Sequence, residues 1–187
     1  MCRFKSCIIL KDRVFVPDYD SHGKMLEELG IEDTFEHASN LFVRAEISPG
    51  DGDVFSDVSD WCYKVDQDIL PDWYVPEIDE QRARKAVDGW MKAHTFAGGK
   101  HDVHDGIWYV KGSATVTATD SATVTAYGSA TVKAYDSTTV KAYCSATVII
   151  PPSSDAEIDN VTTFGHSVAI DHRANKIKAA TDWEVCK

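Results

Sequence analysis

Between Glu46 and Glu80 the chain carries eleven carboxylates against one base, Lys64, and interleaves them with Phe55, Trp61, Tyr63, Trp73 and Tyr74. Carboxylates at this density create a negative field that repels phosphate and attracts basic surfaces. Aromatic rings among them supply the anchors that carry most of the energy of a protein interface. Such a segment can imitate a nucleic acid, with acids in place of phosphates and rings for contact. The residues expected to meet a partner are Asp51, Asp53, Asp57, Asp60, Trp61, Asp66, Asp68, Asp72, Trp73 and Glu77. The expected partner is a basic protein, and the charge opposes direct nucleic-acid binding through this segment. The same composition also suits an acidic loop that keeps the protein in solution while its rings fill the core.

Other reactive residues point less far. Asp51, Asp53, Asp57 and Asp60 lack the Gly at position six and Glu at position twelve that an EF-hand loop needs. His101 and His104 would face one metal ion on a helix, but a strand turns them apart, and Gly98-Gly99 argues against a helix there. No metal and no cofactor are expected. A glycine-rich phosphate loop, a nucleophile elbow and an HExxH motif are all missing, so no catalytic residue is nominated. The five cysteines (Cys2, Cys7, Cys62, Cys144, Cys186) are odd in number and show no C-x-x-C spacing, which reads as free thiols in a reducing compartment. No run of eighteen apolar residues exists, and MCRFKSCIILK is too short in its apolar part for a signal peptide. A cytoplasmic protein without membrane association is expected.

The elements around the acidic segment are legible from periodicity. Cys7–Leu10 and Val14–Val16 suggest a hairpin. Ser21 starts a short helix through Met25, Leu26 and Leu29 that Gly30 ends, and Thr34–Ser39 suggests a further helical turn. Leu41–Ile47 and Trp61–Val65 read as strands. Glu77 to His94 is the strongest helix, with Ile78, Ala83, Ala86, Val87, Trp90 and Met91 as its apolar stripe.

Residues 113–150 then repeat one phrase of eight: SATVTATD, SATVTAYG, SATVKAYD, STTVKAYC and SATVII. Ala, Val and Ala alternate with Thr, Lys and Tyr, which gives a strand with one apolar and one polar face. The slots filled by Asp120, Gly128, Asp136 and Cys144, each followed by Ser, read as tight corners. One octad cannot bury its small apolar residues alone, so the copies must stack as a parallel β-solenoid. Sixteen residues per coil is favoured over twenty-four, because Asp and Gly alternate in the first three corners. The sixteen-residue coil predicts outward ladders Thr115–Thr131–Thr147, Thr117–Lys133–Ile149, Thr123–Thr139, Thr125–Lys141 and Tyr127–Tyr143. Tyr127, Lys133, Tyr135, Lys141 and Tyr143 are its candidate surface residues. Residues 153–159 read as a linker, and Val168–Ile170 with Ile177–Ala180 as a closing hairpin around Arg173–Asn175.

These octads resemble the S/N-A-T-V-x-A-Y repeats of uncharacterised phage and prophage proteins, which follow a small N-terminal domain and precede a short tail. The stretch DQDILPDWYVP (66–76) adds to the likeness. The resemblance implies a mobile-element origin and an interaction or counter-defence role. The start Met1-Cys2-Arg3-Phe4 resembles that of SOS-response-associated peptidases, which would imply an enzyme using Cys2. This chain lacks the Gly that follows the Cys in that family.

The resulting expectation is an α+β N-terminal domain followed by a short parallel β-solenoid of octapeptide strands with a C-terminal β-hairpin cap. Its parts are an acidic head (1–100), the solenoid (101–152) and the cap (153–187). The expected function is non-enzymatic macromolecule binding, as an acidic inhibitor of a nucleic-acid-handling or host-defence protein. The alternatives are a self-associating scaffold, hence a homo-oligomer, or an enzyme using Cys2.

Overall fold

A computed structural model describes residues 5–50 and 52–181. The chain forms two compact units, Met1–Ala93 and His94–Lys187. The architecture is an α+β region, then a parallel β-solenoid, then a C-terminal hairpin.

The first unit runs β1 (Lys5–Leu10), β2 (Val14–Phe15), α1 (His22–Glu28), α2 (Phe35–Ala38), β3 (Phe42–Ser48), a 3-10 turn (Val58–Asp60), β4 (Cys62–Val65) and α3 (Pro76–Ala93). Its strands form one antiparallel sheet in the order β2-β1-β3-β4. Every residue of β1 is buried, because helices cover both of its faces. Ile8 and Leu10 cluster with Met25 and Leu26 of α1 and with Ala38 and Phe42. Lys5, on the opposite face, lies with its Nζ 4.3 Å from the Trp90 ring centre of α3. A strand covered on both sides reads as a continuous apolar run rather than an alternating one, which accounts for CIIL.

The helix boundaries follow their caps. Ser21 Oγ accepts from the Lys24 N–H, and Thr34 Oγ1 accepts from the His37 N–H. At α3, the Asp79 carboxylate is buried and accepts from the Val75 N–H at 2.8 Å. It also pairs with Arg82, whose Nη2 donates to the Leu10 carbonyl. Asp79 therefore takes the inward place that the apolar stripe assigned to Ile78. Ile78 is instead 58% exposed, while Ala83, Val87, Trp90 and Met91 are buried as the stripe requires.

The second unit begins with β5 (Thr95–Phe96), β6 (Lys100–Val103) and β7 (Ile107–Val110). The octads follow as β8 (Thr115–Ala118), β9 (Thr123–Ala126), β10 (Thr131–Ala134), β11 (Thr139–Ala142) and β12 (Thr147–Ile150). After a 3-10 turn (Ile158–Asn160) come β13 (Val161–Thr163), β14 (Val168–Asp171) and β15 (Lys176–Ala179). One sheet has the order β15-β14-β12-β10-β8-β6 and the other β13-β11-β9-β7-β5. All pairings are parallel except β14 with β15, which form the closing hairpin.

The octads pair at a spacing of sixteen residues, as Thr115↔Thr131↔Thr147 and Thr123↔Thr139. This is the two-strand coil, and the expected Thr and Lys ladders stand on its outer faces. The inner faces are a thin core of Ala114, Val116, Ala118 and their equivalents, all fully buried. Small residues let the two sheets approach closely enough to exclude water. Every corner slot is left-handed: φ is 52° at Asp120, 67° at Gly128, 52° at Asp136 and 58° at Cys144.

Residues 153–159 are not a linker but part of the segment 151–160 that joins β12 to β13. They enlarge one coil, so that Val140 pairs with Val161 and Val148 with Ala169, a spacing of twenty-one residues. Ala156 is buried in the core. Ser154 takes the octad place of Thr138, sixteen residues on, and the two hydroxyls donate to the carbonyls of Ala134 and Ala118. Ser167 does the same toward Ala142 at the other corner. Where the second octad position departs from Ala, a hydroxyl is buried within reach of a carbonyl of the preceding coil, and Thr138 and Ser167 also reach a carbonyl of their own turn, those of Tyr135 and Phe164.

Candidate functional site

The acidic segment is built around an edge strand. β4 pairs with β3 on one side and is the last strand of its sheet. The loop before it holds Asp53, Asp57 and Asp60, all exposed, and the stretch after it holds Asp66, Asp68, Asp72 and Glu77, also exposed. Asp51 and Cys2 lie outside the described residues.

The loop before β4 is held by its own polar groups. Asp53 Oδ1 accepts from the Phe55 N–H and Asp57 Oδ1 from the Ser59 N–H, each at 2.9 Å. These are side-chain turns that fix the loop locally. The Ser59 backbone N–H holds the Asp57 carboxyl below its usual range, so this acid stays ionised. Arg84 of α3 donates from Nη1 to the carbonyls of Val58 (2.8 Å) and Trp61 (2.7 Å) and pairs with Glu80, tying the loop to the helix.

The aromatic residues divide. Trp61 is only 4% exposed, and its Nε1 donates to Ser56 Oγ at 2.9 Å. Its ring serves the core of the unit and is not presented to a partner. Trp73 is half-buried, with Nε1 donating to the Asn40 carbonyl at 2.7 Å. The hydroxyls of Tyr63 and Tyr74 lie 3.0 Å apart. Burial pushes both phenols above their ordinary value, so they remain neutral.

Beyond β4, Gln67 secures the chain by accepting from the Arg44 N–H and donating to the carbonyls of Phe42 and Ile69. Asp66 leaves the strand beside His22 and Lys64. Of the acids expected to meet a partner, those whose side chains hold no bond among the described residues are Asp60, Asp68, Asp72 and Glu77.

On the solenoid, Tyr127 and Tyr143 stack at 4.5 Å, and Phe164 from the enlarged coil continues the column at 4.6 Å. Phe164 lies outside the octad pattern, and only the twenty-one-residue coil brings it into line. Tyr135 lies at the opposite corner from this stack. Lys133 stands between Thr117 and Ile149, and Lys141 between Thr125 and Thr162. A second ring group forms where Phe96 stacks on His101 (3.8 Å) and on Trp108 (5.3 Å). His101 Nε2 lies 2.8 Å from the Gly98 carbonyl, whereas His104 Nδ1 lies 2.8 Å from Thr119 Oγ1. The two imidazoles thus engage separate partners.

Cys7, Cys62 and Cys144 are unpaired thiols, and burial pushes Cys7 up to about 12. No described helix is long and apolar enough to cross a membrane. No family model, no curated protein and no solved structure matches the chain.

Proposed function

We propose that this chain is a non-enzymatic macromolecule-binding protein of mobile-element origin, acting as an acidic inhibitor of a nucleic-acid-handling or host-defence protein. The observation that carries this reading is the set of exposed carboxylates on both sides of the edge strand β4. An edge strand offers unpaired backbone groups to an extended segment of a partner, and such strand addition is a common mode of recognition. Flanking acids select a basic segment and accelerate its encounter. The mobile-element origin rests on the likeness of the octads to phage and prophage repeats. The solenoid serves as the rigid platform, with the Tyr127–Tyr143–Phe164 stack, Lys133, Tyr135 and Lys141 as its outward specialisations.

Self-association through the solenoid is the weaker reading. Ile177 of β15 is 73% exposed, but Lys176 and Lys178 on the same strand oppose pairing with a second copy.

The test is retention of host-cell proteins by the immobilised chain at low and at high salt. A basic protein should bind at low salt and be released as salt screens the field. The variant D60N/D68N/D72N/E77Q should lose it, since these four acids hold no local bond among the described residues. Equal retention by both chains would remove the acidic segment from the interface. Light scattering that shows mass rising with concentration would favour self-association.

A further inference from the structure

We propose that His22, Glu46 and Asp66 form a binding site for a first-row divalent cation of the Zn2+ type. This site does not rest on the partner-binding reading, although Asp66 belongs to both. The three ligands are far apart in the chain, and only the fold brings them together. Their ligand atoms all lie within 4.8 Å of one another.

Each ligand is placed by an element already described. His22 is the first residue of α1, whose start Ser21 sets, and Glu46 lies on β3 opposite Lys64 of β4. Asp66 follows β4 directly, and its N–H donates to the Arg44 carbonyl at 2.9 Å. Strand alternation puts Glu46 and Asp66 on the same face of the sheet, and α1 delivers the imidazole there.

The histidine is oriented as a ligand. Its Nε2 lies 3.2 Å from the Ala45 carbonyl, a bond that places the ring proton on Nε2. Nδ1 then turns its lone pair toward Asp66 Oδ2, 3.5 Å away. A metal-bound imidazole characteristically donates its other N–H to a carbonyl in this way, which fixes both tautomer and ring plane. The His22 side chain is 12% exposed, so its position is held by packing as well.

The carboxylates lack an adequate counter-charge. Glu46 is half-buried and its carboxylate has no hydrogen bond or ion pair among the described residues. Lys64 Nζ approaches Asp66 Oδ1 to 3.8 Å, but its side chain is 70% exposed, and exposed pairs contribute little. One imidazole nitrogen with two carboxylate oxygens suits Zn2+ or Mn2+ better than Mg2+ or Ca2+, which favour all-oxygen sites. Three protein ligands leave a further position for water.

The experiment titrates Zn2+ into the metal-stripped full chain against a chromophoric chelator and follows the His22 imidazole resonances. Zn2+ should bind and shift those resonances, and E46Q and D66N should each weaken binding by roughly tenfold or more. Glu46 holds no structural bond, so E46Q should keep the wild-type circular dichroism. C62S should bind as wild type does, which separates this site from capture by the exposed Cys62 thiol. An affinity equal in wild type and E46Q, or one lost in C62S, overturns the proposal. So does Zn2+ binding that leaves the His22 resonances unmoved.

Discussion

The N–H of Asp120 donates to Oδ2 of Asp136, which lies 3.2 Å away and one coil further along the solenoid. Both aspartates occupy the left-handed region at φ 52°, where their short polar side chains are tolerated. Asp136 thus turns its own corner and satisfies the corner before it. Replacing it by Ala keeps the unfavourable φ and removes the acceptor. Asp136→Ala should cost about 1–2 kcal/mol, read as faster hydrogen exchange of the octad amides. An unchanged exchange rate would show that the corner bond contributes nothing.

Cys144 fills a left-handed corner at φ 58° without the polar compensation that Asp provides. Gly adopts that conformation freely. Cys144→Gly should therefore stabilise the solenoid by about 0.5–1 kcal/mol, after allowing for the larger entropy of Gly in the unfolded chain. A lower urea midpoint for the variant would contradict this.

The two glycine corners on the same edge as Cys144 should differ in tolerance. A Cβ on Gly112 (φ 62°) would lie 2.6 Å from the Ala97 carbonyl oxygen, a backbone atom that cannot move aside cheaply. A Cβ on Gly128 would meet Gly112 N at 3.4 Å, ordinary contact. Gly112→Ala should cost more than about 2 kcal/mol and Gly128→Ala about 1–2 kcal/mol. Thermal melts of the two variants check the order, and a reversed order would sink the steric argument.

Lys5 is buried beneath Trp90, with Nζ 3.0 Å from Asp20 Oδ1 and 3.2 Å from the Tyr19 carbonyl. Asp20 Oδ1 also accepts from the Ser6 N–H. Asp20→Ala strands a buried ammonium and should cost about 3–5 kcal/mol. Lys5→Met removes the charge instead and should cost less. Chemical unfolding of both variants decides: equal losses would mean that packing, not charge, governs this site.

Alkaline pH should destabilise the first unit through Cys7. Burial raises its thiol from 9.0 to about 12, so the folded chain keeps a proton that the unfolded chain releases. The stabilisation is complete below pH 9 and is lost as pH rises from 9 toward 12. Lys5 acts in the opposite sense: burial lowers its pKa, and the penalty of keeping it charged is relieved as pH approaches 10.5. Cys7→Val should flatten the fall in urea midpoint between about pH 9 and about pH 11. An identical fall in the variant would assign it to other groups, such as Tyr63.

The fold was legible where the sequence is periodic. Alternation of Ala and Val with Thr, and corners of Asp and Gly, led directly to the stacked coil and its ladders. The enlarged coil was hidden because Pro151 to Asn160 break the octad spacing, although Ser154 keeps the place of Thr138. Ile78 misled because helical spacing cannot reveal that Asp79 turns inward to meet Val75 and Arg82. Exposure of the acids followed from composition, while the burial of Trp61 depended on Arg84, which is distant in sequence, and on Ser56, which no pattern singles out. The cluster of His22, Glu46 and Asp66 left no local signal, since strand pairing alone creates it.

The alternation of corners bears on how this protein can change length. One edge carries Gly112, Gly128 and Cys144, the other Asp120 and Asp136. Duplication or deletion of sixteen residues returns every strand to its own sheet and every corner to its own edge. A change of eight exchanges the edges and brings Asp beside Gly. Lengths that keep the corner pattern therefore differ by whole coils, each adding about 4.8 Å of height.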